Sequence, residues 1–576
     1  MDLVRKKNIF IFFSLAAFVT ACLFFVLFSI HNNDHTGILH VEPGKSTLYI
    51  KKYDLTVKGQ DKDGVTYFFL PSYADMTSVI QDDTAGHIYL RDGSLLTDPA
   101  FGQIQEVDID PGDGNPVPWN TAFFKSSGLY TAYIDLQGRD IRDISHDDYM
   151  SSAFSLYSPL GKLEYIDSSV LIKGRGNTTW DAVKQPYEIK LSDNHPLCGM
   201  SSCSKWALLA NFYDDTKILN KMIMDLSGNI GMEYAIESDW VDLYVNGEYR
   251  GNYLLCKDPG IGKGRLQLSD GYFIEKDNRT GPDSPDPHFN IGKDFFRIKD
   301  PLPVDEEDIL SISSFVNEVD KDIREGSGNE HLAHIDMPSF ARRFMVDEFC
   351  FRSASMQTNC YFYNRGDTLY AGPCWDYDLV CGKPLSGTYY MDYTKSLLDD
   401  MPSDVLLWDS ILLQDRLYKD YYDELYEASV PLFSETIQKN IDIYAGKIAA
   451  SVAMDNALWQ NDEYPVRFYK EMDNKYRYLK FFLYRRLCLL ADICGQEAPL
   501  KGFDPGNKTR HTVTFDRGGE PAGSLDVQDG ELLSPSLLPE YDPSVYDGWF
   551  YTREQLPFSP YIPVYEDMTL ELKPKG

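Results

Sequence analysis

Two aspartates in the run Trp375-Asp376-Tyr377-Asp378 are the strongest candidates for metal ligands in this chain. Residues 376 and 378 of an extended segment face the same way, so both carboxylates could reach one cation. Mg²⁺ prefers anionic oxygen ligands, and two or three protein groups are enough where phosphate and water oxygens fill the other positions. The run therefore indicates a magnesium site, and the alternative is a turn in which the aspartates cap backbone N–H groups.

Glycines and lysines further upstream suit the binding of phosphate groups. Gly174 and Gly176 follow an apolar strand, and without Cβ atoms they let backbone N–H groups approach phosphate oxygens. Lys190 ends the alternating strand Tyr187–Leu191, where a lysine that faces a cleft can neutralise nucleotide phosphates, and Lys184 could take the same role. The alternatives are a turn that needs a positive φ at the glycines and solvated surface positions for the lysines.

The elements that must position these residues fall into a β-rich part and a helical part. Strand patterns dominate from about 127 to 275. From about 304 to 495 apolar residues recur three and four apart, as in Val304–Glu325. This order predicts an α+β arrangement of two lobes with a cleft between them. Residues 31–126 predict a β-rich lead segment, which ends in the turn-dense linker Asp108–Pro118.

Six stretches resemble, in this order, the spore coat protein H (CotH) kinase family. They are Ile172–Trp180, Lys184–Lys190, Trp206–Asn220, Val241–Leu255, Phe273–Asp277 and Gly372–Gly382. Each stretch alone is short, and their number, order and spacing together carry the resemblance, which extends over residues 127–497.

The resemblance implies a bilobal atypical protein-kinase-like domain with a β-rich N-lobe and a helical C-lobe, and ATP and Mg²⁺ as cofactors. The nucleotide-binding residues would be Gly174, Arg175, Gly176, Asn177, Lys184 and Lys190. The catalytic residues would be Lys190, Asn359 and Asp376, and the metal ligands would be Asp376, Asp378 and Asn359. The implied activity is transfer of the γ-phosphate of ATP to Ser or Thr of a surface or spore-coat protein, and a basic or Ser/Thr-rich substrate is expected.

The segment before Asn359 departs from the family. Protein kinases carry the catalytic base, an aspartate, five residues before a metal-binding asparagine, and that position here is Ala354. No carboxylate occurs between Glu348 and Asp367, so Asp347 and Glu348 are the nearest substitutes. Loss of the base slows phosphoryl transfer without forbidding it, because positioning and electrostatics dominate the reaction.

Two smaller departures occur in the β-rich part. Leu219 stands where the family often has an arginine before Asn220, and Lys257 stands where a glutamate commonly follows the strand Tyr253–Cys256. Two function classes therefore compete: a Mg-ATP-dependent Ser/Thr protein kinase, and a catalytically impaired pseudokinase that serves as a cell-surface binding or adhesion scaffold. A glycoside hydrolase with paired carboxylates has no spacing to support it.

The N-terminus has the pattern of a signal anchor. Residues 1–7 carry three basic side chains and residues 8–30 carry no charge, which is long enough for a helix that spans a ~30 Å bilayer core. The positive-inside rule then predicts a cytoplasmic tail at 1–7, a transmembrane helix at 8–30 and an extracytoplasmic remainder. The alternative is cleavage, for example at the lipoprotein-like box Val19–Cys22, which would leave Cys22 lipidated.

The net charge of the chain limits the classes of molecule that it is expected to bind. A formal net charge of −33 disfavours nucleic acid and anionic lipid, and it favours cations and basic polypeptides.

Nine of the ten cysteines follow the apolar N-terminal segment, so they cannot all pair within one chain. Cys198 and Cys203 could close a small disulfide, whereas most others lie in apolar runs that predict buried thiols.

The last residues, 508–576, predict a separate small module. The runs His511–Gly519, Gly548–Phe550 and Glu566–Leu572 resemble the internalin B-repeat (Listeria–Bacteroides) family. That resemblance implies a β-grasp-like fold and an extracellular adhesion or spacer role without chemistry of its own.

Overall fold

The structure is a computed structural model, and it describes part of the chain. The described residues are 47–50, 55–74, 88–90, 99–109, 117–278, 281, 284–326, 332–352, 358–382, 393–400, 408–459, 474–500, 508–552 and 555–575. They group into two compact units. The first contains the described residues up to Ser126 together with Gly247–Tyr249, and the second contains 127–246 and the residues from Arg250 onward.

The first unit consists of two sheets. Its strands are β1 (Thr47–Ile50), β2 (Leu55–Lys58), β3 (Gln60–Lys62), β4 (Val65–Leu70), β5 (Ile88–Leu90), β6 (Ile104–Ile109) and β7 (Val117–Lys125). Strands β1 and β2 form a hairpin, and the others form a sheet in the order β3-β4-β7-β6-β5. Parallel pairing of β4 with β7 stacks the buried rings of Phe68 and Phe123, whose centroids lie 5.4 Å apart. These stacked rings belong to the unit's apolar core.

The second unit begins with a closed barrel of seven strands in the order β10-β11-β12-β14-β13-β8-β9. The strands are β8 (Tyr130–Asp135), β9 (Met150–Tyr157), β10 (Leu163–Gly174), β11 (Tyr187–His195), β12 (Cys203–Leu209), β13 (Ser238–Val245) and β14 (Glu248–Lys257). Alternate side chains such as Ile189, Trp206 and Leu255 fill the barrel. The side chains between them, such as Ala207 and Cys256, face outward and belong to a second core that the barrel shares with the helices.

Within the described residues up to Ile493, a five-stranded sheet and eight α-helices accompany the barrel. The sheet has the order β16-β17-β15-β18-β19, with β15 (Phe273–Lys276), β16 (His288–Ile291), β17 (Asp294–Asp300), β18 (Cys360–Arg365) and β19 (Thr368–Ala371). The helices are α1 (Leu219–Asn229), α2 (Glu306–Glu325), α3 (Met337–Cys350), α4 (Leu397–Asp400), α5 (Asp409–Leu412), α6 (Arg416–Glu435), α7 (Ile441–Trp459) and α8 (Lys475–Ile493).

Helix α3 is the element that leads into the candidate site. Its N-terminus is capped by Asp336, whose side chain accepts a hydrogen bond from the backbone N–H of Ser339. The helix ends at Phe351, which adopts a left-handed backbone conformation with φ of 53°. This left-handed residue reverses the chain after α3 and directs Arg352 into the interior, where that side chain is buried.

The C-terminal module packs on helix α8. Its sheet has the order β21-β20-β24-β22-β23, with β20 (Arg510–Arg517), β21 (Glu520–Gln528), β22 (Tyr546–Tyr551), β23 (Leu556–Pro557) and β24 (Met568–Pro574). Tyr478 of α8 is part of the module's own hydrophobic core, and its ring meets that of Tyr565 at 4.9 Å. Arg477 forms an ion pair with Asp529, so the module is joined to the helical part by apolar and charged contacts.

Three expectations are corrected or limited by this fold. The expected fold class included a membrane-spanning helix, but none of the helices in the described residues is both long and apolar enough to cross a bilayer. The long helices, such as α6 and α8, carry charged side chains along the face that does not pack on the core, and residues 8–30 lie outside the described part. The β-rich lobe is divided into a closed barrel and a separate sheet. The thiols of Cys198 and Cys203 are free, so no disulfide joins them.

Candidate active site

Asn359 and Asp376 are in direct contact. Asn359 immediately precedes β18, Asp376 follows β19, and the Asn359 Nδ2 donates a hydrogen bond of 2.5 Å to the Asp376 Oδ2. Both residues have a left-handed backbone, with φ of 56° and 66°. Asparagine and aspartate tolerate this conformation better than most residues, and such strain is concentrated at functional sites. The structure thus joins two of the three expected metal ligands, and the third, Asp378, is buried two residues further on.

The guanidinium group of Arg352 fixes both segments of this pair. Its Nη2 donates hydrogen bonds to the backbone carbonyls of Asn359, at 3.0 Å, and of Trp375, at 3.2 Å. The same group lies over the ring of Tyr377, 4.6 Å from its centroid. Because one rigid, fully buried guanidinium group contacts both segments, Arg352 sets the spacing between Asn359 and Asp376.

Tyr377, which lies between the two aspartates, is hydrogen-bonded through both its backbone N–H and its side-chain hydroxyl. Its backbone N–H donates a hydrogen bond of 2.8 Å to the Oδ1 of Asn220, which lies on helix α1. Its hydroxyl donates a hydrogen bond of 2.5 Å to Asp347 of helix α3. In the sequence, Asn220 is the last residue of the stretch Trp206–Asn220, next to the unusual Leu219, and its contact with Tyr377 spans 157 positions of the chain. These two bonds orient the backbone that carries Asp376.

The two carboxylates considered as substitute bases serve other contacts. Asp347 also lies 3.1 Å from Arg343 and 3.7 Å from Arg352, and it is fully buried. Glu348 pairs with Arg486 and accepts a hydrogen bond of 2.9 Å from the backbone N–H of Leu397. Burial raises the pKa of Glu348, although Arg486 opposes this effect. Both carboxylates therefore act as structural anchors, and Ala354 lies outside the described residues.

Arg175 lies against the same segment from the barrel side. Its guanidinium group is 5.0 Å from the centroid of the Trp375 ring. Its Nη2 is 3.7 Å from the Asp258 carboxylate, and its Nε is buried without a hydrogen-bond partner within the described residues. A guanidinium group with a buried, unsatisfied N–H is suited to receive an anion.

The two positions on either side of Arg175 require glycine, one for packing and the other for packing and backbone conformation. A Cβ on Gly174 would lie 2.3 Å from the ring of Trp180. Gly176 has a φ of +83°, and a Cβ there would lie 2.2 Å from the hydroxyl of Thr179. Asn177 is exposed on the loop that follows. The glycines thus shape a tight turn that holds Arg175 in place.

The lysine beside Arg175 is Lys205, which the sequence did not single out. Lys205 of β12 pairs with Asp258 at 3.0 Å and with Glu188 at 3.3 Å. Burial lowers the pKa of Lys205, but Asp258 and Glu188 outweigh it and the pKa is raised. Lys190, directly opposite on β11, is exposed on the outer face of the barrel. The only sequence signal was position, since Lys205 immediately precedes the family stretch that starts at Trp206.

Lys184 is buried away from this group. Its Nζ donates hydrogen bonds to Asp455 of helix α7, at 2.5 Å, and to the backbone carbonyl of Asn252, at 2.6 Å. Burial lowers its pKa to about 7, and Asp455 opposes the effect only in part. The side chain is completely inaccessible, so it contributes an internal ion pair and is not available to a phosphate group.

The phenol of Tyr361 shows that the charged groups share one environment. Its pKa is raised well above the ordinary value, first by burial and then by Glu275, Asp258 and Asp376, while Arg175 opposes the rise. Arg175 also contacts both Asp258 and the ring of Trp375, the residue before Asp376, so these three charged groups lie close together. Together with Lys205 and Asn359 they form what we call the cleft cluster.

The cleft cluster fits a magnesium ion that is bound together with phosphate. The described residues contain no group of three or more His, Cys, Asp or Glu side chains arranged to hold a metal ion. Asp376 and Asn359 offer two side-chain oxygens, provided that the Asn359 amide turns to present its oxygen. Mg²⁺ usually binds one or two carboxylates and takes its other ligands from phosphates and water. Such an ion would balance phosphate charge at a site that already carries Arg175 and Lys205.

Comparison with models of known protein families identifies the family of this chain. The family model for CotH kinase protein matches residues 172–490, more than half of the chain. This chain belongs to the CotH kinase family. The match runs from the end of β10 to helix α8 and includes every residue of the cleft cluster, whereas the C-terminal module lies outside it. A search of curated proteins found no match.

Proposed function

We propose that this CotH family member is an atypical protein kinase that binds Mg-ATP at the cleft cluster. In this proposal it transfers the γ-phosphate to a Ser or Thr hydroxyl of a surface or spore-coat protein. The contact between Asn359 and Asp376 carries the proposal, because it pairs an asparagine with an aspartate as in the metal site of protein kinases. Arg175 and Lys205 would bind the phosphates, and Asn359 and Asp376 would hold Mg²⁺.

The strong negative charge of the chain favours a basic acceptor. With a formal net charge of −33, an acidic substrate would be repelled, whereas a substrate rich in lysine or arginine around its Ser or Thr would be attracted. An extracytoplasmic location is part of the proposal. It rests on the basic residues 1–7 followed by the uncharged residues 8–30, which are typical of an export signal.

A second candidate function is a pseudokinase scaffold. The observation that favours it is the state of Asp347 and Glu348, which are both buried and committed to arginines. Neither carboxylate can accept a proton from a substrate hydroxyl without losing its structural partner. In this alternative the cleft cluster still binds nucleotide, and the C-terminal module, with its resemblance to B-repeats, contacts a surface partner.

Phosphate transfer to matched peptides tests the proposal and separates the two functions. The full-length chain would be incubated with γ-labelled ATP, Mg²⁺ and two Ser/Thr peptides that differ only in basic or acidic flanking residues. The kinase proposal predicts Mg-dependent label on Ser or Thr of the basic peptide. ATP binding without label on any peptide or on the chain itself would favour the pseudokinase, and absence of nucleotide binding would overturn both.

A further inference from the structure

A fully buried polar network joins helix α7 to the loop before helix α1. Lys184, Lys217 and Asp455 are each at most 2% exposed. The Asp455 Oδ1 accepts the hydrogen bond from Lys184, and its Oδ2 lies 3.5 Å from the Lys217 Nζ. One carboxylate thus contacts the side-chain nitrogens of two buried lysines.

The Lys217 branch of this network leads to the candidate metal site. The Lys217 Nζ donates a hydrogen bond of 2.9 Å to the backbone carbonyl of Asn211. The Asn211 Oδ1 accepts a hydrogen bond of 3.0 Å from the Nδ2 of Asn220. The Oδ1 of Asn220 in turn accepts the N–H of Tyr377 at 2.8 Å. The series is buried at every step, so water does not compete for these hydrogen bonds.

The loop that carries this branch has a strained backbone that needs external support. Asn211 and Lys217 both have left-handed conformations, with φ of 45° and 60°. Such residues persist only where the surroundings hold them. The peptide N–H of Tyr377 belongs to the same peptide unit as the carbonyl of Asp376. Its orientation therefore governs where the Asp376 backbone, itself left-handed, directs its carboxylate.

We propose that Lys217 and Asp455 are positioning residues for Asp376, and that they act through Asn211 and Asn220 on the peptide N–H of Tyr377. This inference rests on the proposed function, since it assigns a purpose to the geometry of the metal pair. It explains why two buried lysines surround one aspartate at this place. It also extends the positioning apparatus to helix α7, 79 residues beyond Asp376 in sequence (455 against 376).

The two lysines provide a matched comparison. Both contact Asp455, but Lys184 donates its other hydrogen bond to the carbonyl of Asn252 on β14, and so leads away from Tyr377. The changes Lys217→Met and Lys184→Met each remove a buried side-chain nitrogen that contacts the same carboxylate. A merely structural role predicts similar effects of the two changes, whereas a positioning role predicts different effects at Tyr377.

Hydrogen exchange and nucleotide binding on the full-length chain test the inference. We expect Lys217→Met to speed amide exchange in the peptide that contains Tyr377 and to weaken Mg-dependent ADP binding about 10–100-fold, as changes to supporting residues around metals do. Lys184→Met should lower the melting temperature without either effect. Equal effects of both changes on Tyr377, or unchanged exchange at Tyr377 in folded Lys217→Met, would overturn the inference.

A second variant covers the case in which Lys217→Met does not fold. Asn220→Ala removes the acceptor of the Tyr377 N–H while it leaves all three charged groups in place. It should speed exchange at Tyr377 in the same way, and unchanged exchange would overturn the inference. Failure of the proposed function is a separate result, because wild-type protein would then bind no Mg-ADP while the exchange data still report on the network.

Discussion

The hydroxyl of Tyr377 donates a hydrogen bond of 2.5 Å to the carboxylate of Asp347, and this contact joins helix α3 to the segment of the candidate metal ligands. Asp347 is one of the two carboxylates, with Glu348, that the sequence offered as a replacement for the missing base. Its three partners, Tyr377, Arg343 and Arg352, instead make it the centre of the framework behind the site. Asp347, which the sequence suggested as a catalytic base near Asn359, thus has a structural role.

Asp347→Asn should therefore destabilise the protein. The change leaves Arg343 and Arg352 short of a buried counter-charge, which typically costs about 3–5 kcal/mol in free energy of unfolding. Tyr377→Phe, which removes only the hydroxyl, should cost less, about 1.5–3 kcal/mol, as expected for one hydrogen bond to a charged group. Denaturant unfolding measures both. Loss of phosphate transfer in Asp347→Asn with unchanged stability would instead identify Asp347 as the base.

A new carboxylate at position 354 should increase autophosphorylation. Ala354→Asp places an acidic group five residues before Asn359, the spacing of the base in protein kinases, and a general base contributes typically about 10²–10⁴-fold. Ser353→Asp and Ser355→Asp are the register controls, and rates with labelled ATP are the measurement. A gain at 353 or 355 alone would show that the alignment is displaced by one residue, and no gain at any position would contradict a vacant base position.

Lys205 and Lys190 offer a comparison between neighbouring strands of the barrel. Lys205→Met should weaken ATP binding, because Lys205 lies beside Arg175 at Asp258. Lys190→Met should have little effect, because Lys190 is exposed on the outer face. Titration of ATP into each variant measures the difference. If Lys190→Met gives the larger loss, the phosphate-binding lysine is the one that the sequence suggested.

The buried Lys184 predicts a specific pH dependence of stability. Its pKa in the folded protein is lowered to about 7 by burial, against an ordinary value of 10.5. Between these values the unfolded chain binds a proton that the folded chain does not, so the free energy of unfolding rises with pH, by at most about 1.4 kcal/mol per pH unit. Unfolding at pH 7, 8 and 9 should show this rise in the wild type and its loss in Lys184→Met. Parallel curves for the two proteins would contradict it.

The sequence predicted Asp376 and Asn359 as metal ligands, and the structure places their side chains in direct contact. For Asp376 the signal is local, because this residue lies within the stretch Gly372–Gly382 that resembles the CotH family. The alternation of Tyr187–Leu191 predicted a strand there, which the structure has as part of β11. It could not show which outward lysine meets the site, because that depends on how seven strands close into a barrel, including the parallel pairing of β8 with β13.

The other differences arise from contacts between distant parts of the chain. Lys184 is buried by Asp455, which lies 271 residues away, so no local pattern distinguishes it from an exposed lysine. Asn220 has its role because it accepts a hydrogen bond from the distant Tyr377. Arg352 has its role because it donates hydrogen bonds to two backbone carbonyls that come together only in the folded protein. The supporting contacts of the site are therefore tertiary, although its metal-binding candidates are visible in the sequence.

Mg²⁺-dependent nucleotide binding tests the central claim most directly. Calorimetric titration of ATP into the full-length chain, with and without Mg²⁺, would compare the wild type with Asp376→Asn and with Asp367→Asn, a control at an exposed turn. We expect Mg²⁺ to strengthen binding in the wild type and in the control. Asp376→Asn should lose about 2–5 kcal/mol, roughly 30-fold or more, with its melting temperature retained. Binding that is indifferent to Mg²⁺, and equal in folded Asp376→Asn and wild type, would contradict the assignment of the site.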